Sequence, residues 1–352
     1  MADIPNILQT IERYRALGIE EQIDYKKFYL YSIITHSTAI EGSTVTEIEN
    51  QLLFDEGITA PGRTLQEQMM NLDLKAAYEE AQRLADRHMP YSIDMLCRLS
   101  AIVMRNAVNR APVAKTNTGS TYNTPLGSFS AAEGELRKVN VTAGFGGRSY
   151  LAHEKVPQAL SDFCRWLNTE RAALPKNDIL AAYRLSFVAH FRLVSIHPWA
   201  DGNGRMSRLV MNMLQWEFGL IPVKVLKEQK AEYIQALNDT RDQQDESIFP
   251  NVMLRLHNTN LQAEIDAFVA SQETDTKTIG KPVGKTIGKK LGKTAGKIVD
   301  LMRNNPQITI PEIAVIVQTS ESNVLQHTSK LQKQGIIRRV DGRKEGYWQV
   351  LI

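Results

Sequence analysis

Twelve residues hold most of the chemistry that this chain's side chains could do: His197-Pro-Trp-Ala-Asp201-Gly202-Asn203-Gly204-Arg205-Met-Ser-Arg208. A histidine titrates close to neutrality and can take a proton from a hydroxyl. Asp201 offers the kind of carboxylate that Mg²⁺ combines with phosphate oxygens. Asp201-Gly202-Asn203-Gly204 makes a tight loop, and an amphipathic helix starts near Arg205. A loop that feeds a helix start presents free backbone N–H groups and the positive end of the dipole, which together favour an anion. Glycines let a phosphate come close to the backbone. Arg205 and Arg208, three residues apart, add fork-shaped donors for phosphate oxygens. Each piece alone is ordinary. Compressed into one segment, they supply a base, a metal ligand, an anion nest and two arginines.

The segment resembles the signature of the Fic (filamentation-induced-by-cAMP) family, H-x-F-x-D/E-G-N-G-R-x-x-R. The upstream helix, with His190 seven residues before His197, is similar to that family's as well. One departure is Trp199 at the phenylalanine position, a larger aromatic that plugs the core under the loop. The resemblance implies an all-α core and transfer of AMP from ATP to a hydroxyl of a target protein, with Mg²⁺ or Mn²⁺. It assigns His197 as the base, Asp201 as the metal ligand, and the N–H groups of Gly202, Asn203 and Gly204 as the anion cradle. Arg205 would bind the β-phosphate and Arg208 the γ-phosphate. Asn203 and Arg205 join His197 in the catalytic set.

Three further segments fit the same resemblance. Ser37-Thr-Ala-Ile-Glu41-Gly42 matches the family's inhibitory pattern S/T-x-x-x-E-G/N, with Ser37 and Glu41 one helical turn apart. It implies that Glu41 pairs with Arg208 and blocks productive γ-phosphate binding. A hairpin expected over about 136–151 resembles the family's flap, where an extended segment of the target, presenting a Tyr, Thr or Ser hydroxyl, adds as a strand. Gly134-Glu-Leu-Arg137 resembles the start of that region. Tyr233 matches a family position that stacks near adenine, with core packing as the alternative.

The elements that must position these groups are mostly helical. Apolar residues recur at three- and four-residue spacing over 66–87, 92–108, 156–168, 179–196 and 206–218, interrupted by Pro90, Pro112, Pro175 and Pro222. Residues 113–150 differ, being rich in Gly, Thr, Ser and Asn, and read as a long loop plus a hairpin. From 280 to 299 Gly-Lys repeats five times. The spacing is one residue short of a P-loop and no apolar strand precedes it, so the repeat reads as a linker or as a segment docked on the body.

The tail reads as a helix at 297–304, a brief strand at Ile308-Thr-Ile, a helix at Glu312–Val317 opened by Pro311, and a third helix near 320–333 ended by Gly335. Strands at 336–340 and 346–351 follow, joined by Asp341-Gly342. This order resembles a winged helix-turn-helix domain. On the third helix Val324, Leu325, Thr328 and Leu331 form the expected core face. Ser322, Asn323, Gln326, Lys330 and Lys333 lie opposite, suited to base edges and phosphates. DNA and a protein surface both remain open as partners of this module.

The expected fold is therefore mainly α. A helical region with the inhibitory motif spans 1–90, the catalytic core 91–270, the linker 271–297 and an α+β winged helix 298–352. The chain has 352 residues and a formal net charge of +3. Seven lysines without an acid lie in 276–297, the tail is net +2, and residues 1–275 are net −6. The basic segment suggests a polyanionic partner. Cys97 and Cys164 are too few for a disulfide framework or a cysteine metal cluster and read as reduced thiols. No long unbroken apolar run and no signal peptide is seen, so a cytoplasmic protein away from membranes is expected. A homodimer is open. The alternatives to AMP transfer are removal of AMP, transfer of phosphate or phosphocholine, and a DNA-binding transcription regulator whose catalytic body is only a sensor.

Overall fold

A computed structural model describes residues 7–106, 121–125, 127–142, 147, 149–175, 177–279, 293–317, 319, 321–333, 335–340 and 347–351. The 113–120 part of the loop, Pro112, Gly144, Gly146, the Gly-Lys repeat from 280 to 292 and the Asp341-Gly342 turn lie outside the described residues. The chain divides into two compact units, 1–266 and 267–352.

The first unit is built from α1 (Ile7–Ala16), α2 (Tyr25–Ile40), α3 (Glu47–Glu56), α4 (Leu65–Asp86), α5 (Ile93–Val103), α6 (Val156–Ala173), α7 (Ile179–Ile196), α8 (Asn203–Glu217) and α9 (Lys230–Gln243). Helix α10 (Ile248–Ile279) follows. At the centre lies α8, packed against α4 and α7. It is buried all round, from Asn203 and Arg205 through Gln215, as a helix enclosed by others must be. Its neighbour α7 is capped by Asp178, whose carboxylate accepts from the Ala181 N–H at 2.8 Å. Among the described residues α7 is the one helix long and apolar enough to cross a membrane by length and composition, and more than half of it is buried inside this unit.

Some elements differ from expectation. The fifth helix stops at Val103 rather than 108, with Met104 as its C-cap. The eighth begins at Asn203, because Gly202 at φ 79° turns the chain into its first turn. The expected 136–151 hairpin shows little regular pairing among the described residues. Among them a bridge joins Thr142 to Ser149, with a Tyr150 N–H···O=C Val141 bond of 3.0 Å. The paired strands are instead β1 (Thr121–Thr124) and β2 (Gly127–Ser130), whose Tyr122 and Phe129 rings stack at 4.9 Å. The 136–142 run bends at 138–139, where the Val139 carbonyl is engaged by a buried arginine described below.

In the second unit helices run over Lys293–Asn304, Ile310–Val317 and Glu321–Lys333, and the strands Ile337–Val340 and Tyr347–Val350 pair antiparallel. The linker expected over 271–297 is thus helical at both ends. Ile308-Thr-Ile is not a strand. Thr309 caps the second helix in a reciprocal box with Glu312, its N–H bonding that carboxylate at 2.8 Å. The core gathers Ile298, Val299, Met302, Ile313, Val324, Leu331 and Trp348. Leu325, expected in that core, is 53% exposed, whereas Thr328 takes a buried place.

Candidate active site

His197 ends α7. Its N–H bonds the Leu193 carbonyl at 3.1 Å, and its backbone then turns left-handed at φ 54°. Proline at 198 accounts for the break, since it disfavours helix in the residue before it. The imidazole Nδ1 lies 3.2 Å from the Val194 carbonyl, which selects the tautomer with Nδ1–H donating and leaves Nε2 as a base. Burial lowers the pKa of His197 to about 4, helped by Arg137 and Arg241 and opposed by the Val194 bond and Glu41. The sequence suggested a base tuned near neutrality. The structure makes a weaker one that is unprotonated across the neutral range.

The loop after His197 is pinned from inside. The Asn203 side chain accepts from the Trp199 N–H at 3.1 Å and donates to the Trp199 carbonyl at 2.8 Å. Trp199 is fully buried, and its indole N–H donates to the Gly134 carbonyl at 3.1 Å. The larger aromatic therefore fills the core and ties the loop to the segment before the flap. Gly202 caps α8, and Asn203, Gly204 and Arg205 open its first turn, where N–H groups lack intrahelical acceptors. Asp201 sits at the rim with its side chain half exposed, one oxygen accepting from the Gly202 N–H at 2.6 Å. Among the described residues no cluster of three or more His, Cys, Asp or Glu surrounds it.

The two arginines are held differently. Arg205 is buried, with weak contacts to the Val103 carbonyl at 3.4 Å and the Met104 sulfur at 3.2 Å. Its Nε finds no partner, and Asp201 is 3.7 Å away. Arg208 makes four hydrogen bonds. Nε donates to the Ser37 hydroxyl at 2.8 Å, and Nη2 to the Ser37 carbonyl at 3.0 Å and Glu41 Oε1 at 2.7 Å. Nη1 donates to the Tyr233 hydroxyl at 3.4 Å. Burial raises the Glu41 pKa, but Arg208 outweighs it and the net shift is downward. Burial pulls Arg208 the other way and is likewise overcome, by Tyr233 and Glu41. A Cβ on Gly204 would lie 2.5 Å from Glu41 Oε1, so the carboxylate rests on the first turn of α8 itself. Gly42, at φ 100°, turns the chain away after the α2 end.

Tyr233 is 1% exposed and is no platform for a stacked base in this structure. Its hydroxyl shares a 2.8 Å hydrogen bond with His190 Nε2, behind Arg208. That bond and the edge contact of its ring with Phe249 hold it there. Arg137 is the residue whose role the sequence did not disclose. It is buried, and its Nε donates to the His197 carbonyl at 2.7 Å, Nη1 to Val139 at 2.7 Å and Nη2 to Leu151. Its own N–H bonds the Pro198 carbonyl at 3.0 Å. One guanidinium thus joins both limbs of the flap to the loop that carries His197. On the second unit Asn323 is part-buried and donates to Thr319 at 2.8 Å, and Lys330 is exposed; the side chains of Ser322, Gln326 and Lys333 lie outside the described part.

Residues 90–215 match the Fic/DOC family model, and residues 291–338 a winged helix-turn-helix DNA-binding model. The chain is 28% identical over 213 residues to protein adenylyltransferase fic-1 of Caenorhabditis briggsae, which covers 60% of this chain and 36% of that protein. It is 25% identical over 245 residues to protein adenylyltransferase Fic of Drosophila grimshawi, covering 65% and 44%. The match therefore spans less than half the length of these relatives. A Fic domain containing signaling protein from Bacteroides thetaiotaomicron shares the fold with a TM-score of 0.59, at 20% identity over 76% of this chain and 98% of that one. A Fic family protein from Desulfovibrio desulfuricans gives 0.57 at 16% identity over 99% and 96%. The chain carries a Fic domain followed by a winged helix-turn-helix domain.

Proposed function

We propose that this protein transfers AMP from ATP to a hydroxyl side chain of a target protein, and that Glu41 holds it inactive. The observation that carries the reading is the apposition of His197, the open first turn of α8 and two buried arginines. His197 Nε2 takes the proton of the target hydroxyl. That oxygen attacks the α-phosphorus, the bond from the α-phosphorus to its bridging oxygen breaks, and pyrophosphate leaves. The N–H groups of Gly202, Asn203 and Gly204 cradle the phosphates, and Arg205, with an unpartnered Nε, binds the β-phosphate. Arg208 binds the γ-phosphate once Glu41 releases it.

The donors fit Mg²⁺ or Mn²⁺: a half-exposed carboxylate at the mouth of a phosphate nest suits an ion that keeps waters and substrate oxygens as its other ligands. Asp201 would hold it, and the ion would neutralise charge on the phosphates. The target docks at the flap edge near 136–151. The test is labelled ATP with Glu41→Gly and a native lysate. Label on a target, lost in His197→Ala by about 10²–10⁴ in rate and lost in chelator, supports the reading. Undiminished transfer by His197→Ala sinks it. Glu41-dependent removal of AMP from a modified target would assign hydrolysis instead. A second reading concerns the winged helix, whose family description and exposed Lys330 favour DNA as its partner.

A further inference from the structure

His197 is gripped on its carbonyl by Arg137 and at Nδ1 by Val194. Neither contact fixes the plane of the imidazole from its face. Tyr150 does: its ring lies over His197 with centroids 3.8 Å apart and planes 18° from parallel. Tyr150 belongs to the flap. Its N–H bonds the Val141 carbonyl, Ser149 beside it bridges Thr142, and Arg137 holds the Leu151 carbonyl after it. The Arg241 guanidinium sits 5.7 Å from the same phenol ring and donates to Ser195 at 3.3 Å, next to the end of α7. Tyr150 and Arg241 line a cleft of about 530 Å³ with Gln235 and Asn238.

We infer that Tyr150 is a positioning residue for His197: carried by the flap, its ring sets the plane of the imidazole and keeps water from its face, so that Nε2 is held in line for the target hydroxyl. The flap then completes the base as well as receiving the target. The inference rests on His197 being the base. Among the described residues the charged groups that act on the imidazole are Arg137, Arg241 and Glu41. None of them supplies an aromatic face, so removing the phenol removes the ring contact on the imidazole.

The experiment compares Tyr150→Ala and Tyr150→Phe in the full chain carrying Glu41→Gly. Tyr150→Ala is expected to lower kcat for AMP transfer by about 10–100-fold, the cost of a base about 1 Å out of place, with KM for ATP within about twofold. Histidine-selective NMR of the same variants should show His197 titrating upward toward the unperturbed range of about 6.5 as water reaches the ring. Tyr150→Phe keeps the stack and should restore both readouts. Unchanged kcat in Tyr150→Ala, or Tyr150→Phe no better than Tyr150→Ala, overturns the inference. A loss confined to KM for ATP overturns it too, since that marks a ligand contact. Should His197→Ala prove active, the base assignment falls by itself. The NMR titration still judges the stack, because an unmoved His197 in Tyr150→Ala refutes it without reference to activity.

Discussion

Arg208 and Glu41, separated by 167 positions in the chain, meet at 2.7 Å over the first turn of α8. Ser37, one turn before Glu41 on α2, takes two more donors of the same guanidinium. The helix end and the buried cation form one clamp, and the carboxylate lies where α8 would receive an anion. Glu41→Gly is expected to raise AMP transfer by about 10–100-fold, since misalignment of about 1 Å costs that much. Arg208→Ala should not mimic it, because the γ-phosphate ligand goes too. Ser37→Ala should free Arg208 less than Glu41→Gly does. It should also cost about 1–3 kcal/mol in urea unfolding, the penalty of a buried donor left unpaired. Label incorporation that is equal in wild type and Glu41→Gly would refute the clamp.

Asn203 is expected to be structural and indispensable. Its amide meets a donor and an acceptor of Trp199 at once. Asn203→Ala leaves both unsatisfied, a loss of about 1–3 kcal/mol for each buried group. Asn203→Asp can accept from the N–H but sets a carboxylate against the carbonyl, so it should not rescue. Both should unfold at lower urea and transfer AMP slowly. Normal activity in Asn203→Asp would show that the loop holds without this bridge.

Acid should destabilise the fold early. His197 is lowered to about 4 and His257 to about 3, with His190 well below its ordinary value, burial being the largest cause each time. All three stay neutral in the fold and gain protons on unfolding. Stability is full above the unfolded value of about 6.5 and falls as pH drops toward 4. The slope is about 1.4 kcal/mol per pH unit for each proton, approaching about 4 for the three together. Activity follows a different window. His197 remains a base down to about pH 4, so the acid limb of kcat should lie near there rather than near 6.5. Glu41 is lowered below its ordinary value, so inhibition should persist at pH 5. Urea melts at several pH values and a pH–rate profile of Glu41→Gly check both.

The winged helix should bind duplex DNA with an affinity that falls steeply with salt. Lys330 is exposed on the third helix. Lys330→Ala should weaken binding across sequences and reduce the slope of log K against log salt by about one. No binding at low salt by the full chain would assign the module to protein contacts.

The residues of the 197–208 segment were legible because their chemistry is local. A cap at Asp178 determines where α7 starts, a proline at 198 where it stops and a glycine at 202 where α8 begins, and the arginines follow at helical spacing. The pairing of Ser37 and Glu41 on one helix face was legible for the same reason. The strand at Ile308-Thr-Ile failed because a capping box, Thr309 with Glu312, won over short-range alternation. The expected hairpin keeps little regular pairing among its described residues, with the Val139 carbonyl taken by Arg137, while Tyr122 and Phe129 found each other in a polar stretch.

What the chain alone determined is the set of reactive groups and the helices that carry them, since both depend on residues within a few positions of one another. The tertiary structure decided which groups meet. Burial of Tyr233 behind Arg208, the clamp between α2 and α8, the stack of Tyr150 on His197 and the contacts of Arg137 with the His197 and Pro198 carbonyls join segments tens to hundreds of residues apart. Such contacts arise from how α2 and α7 pack against α8, and packing is a property of shapes and volumes that no spacing along one helix records.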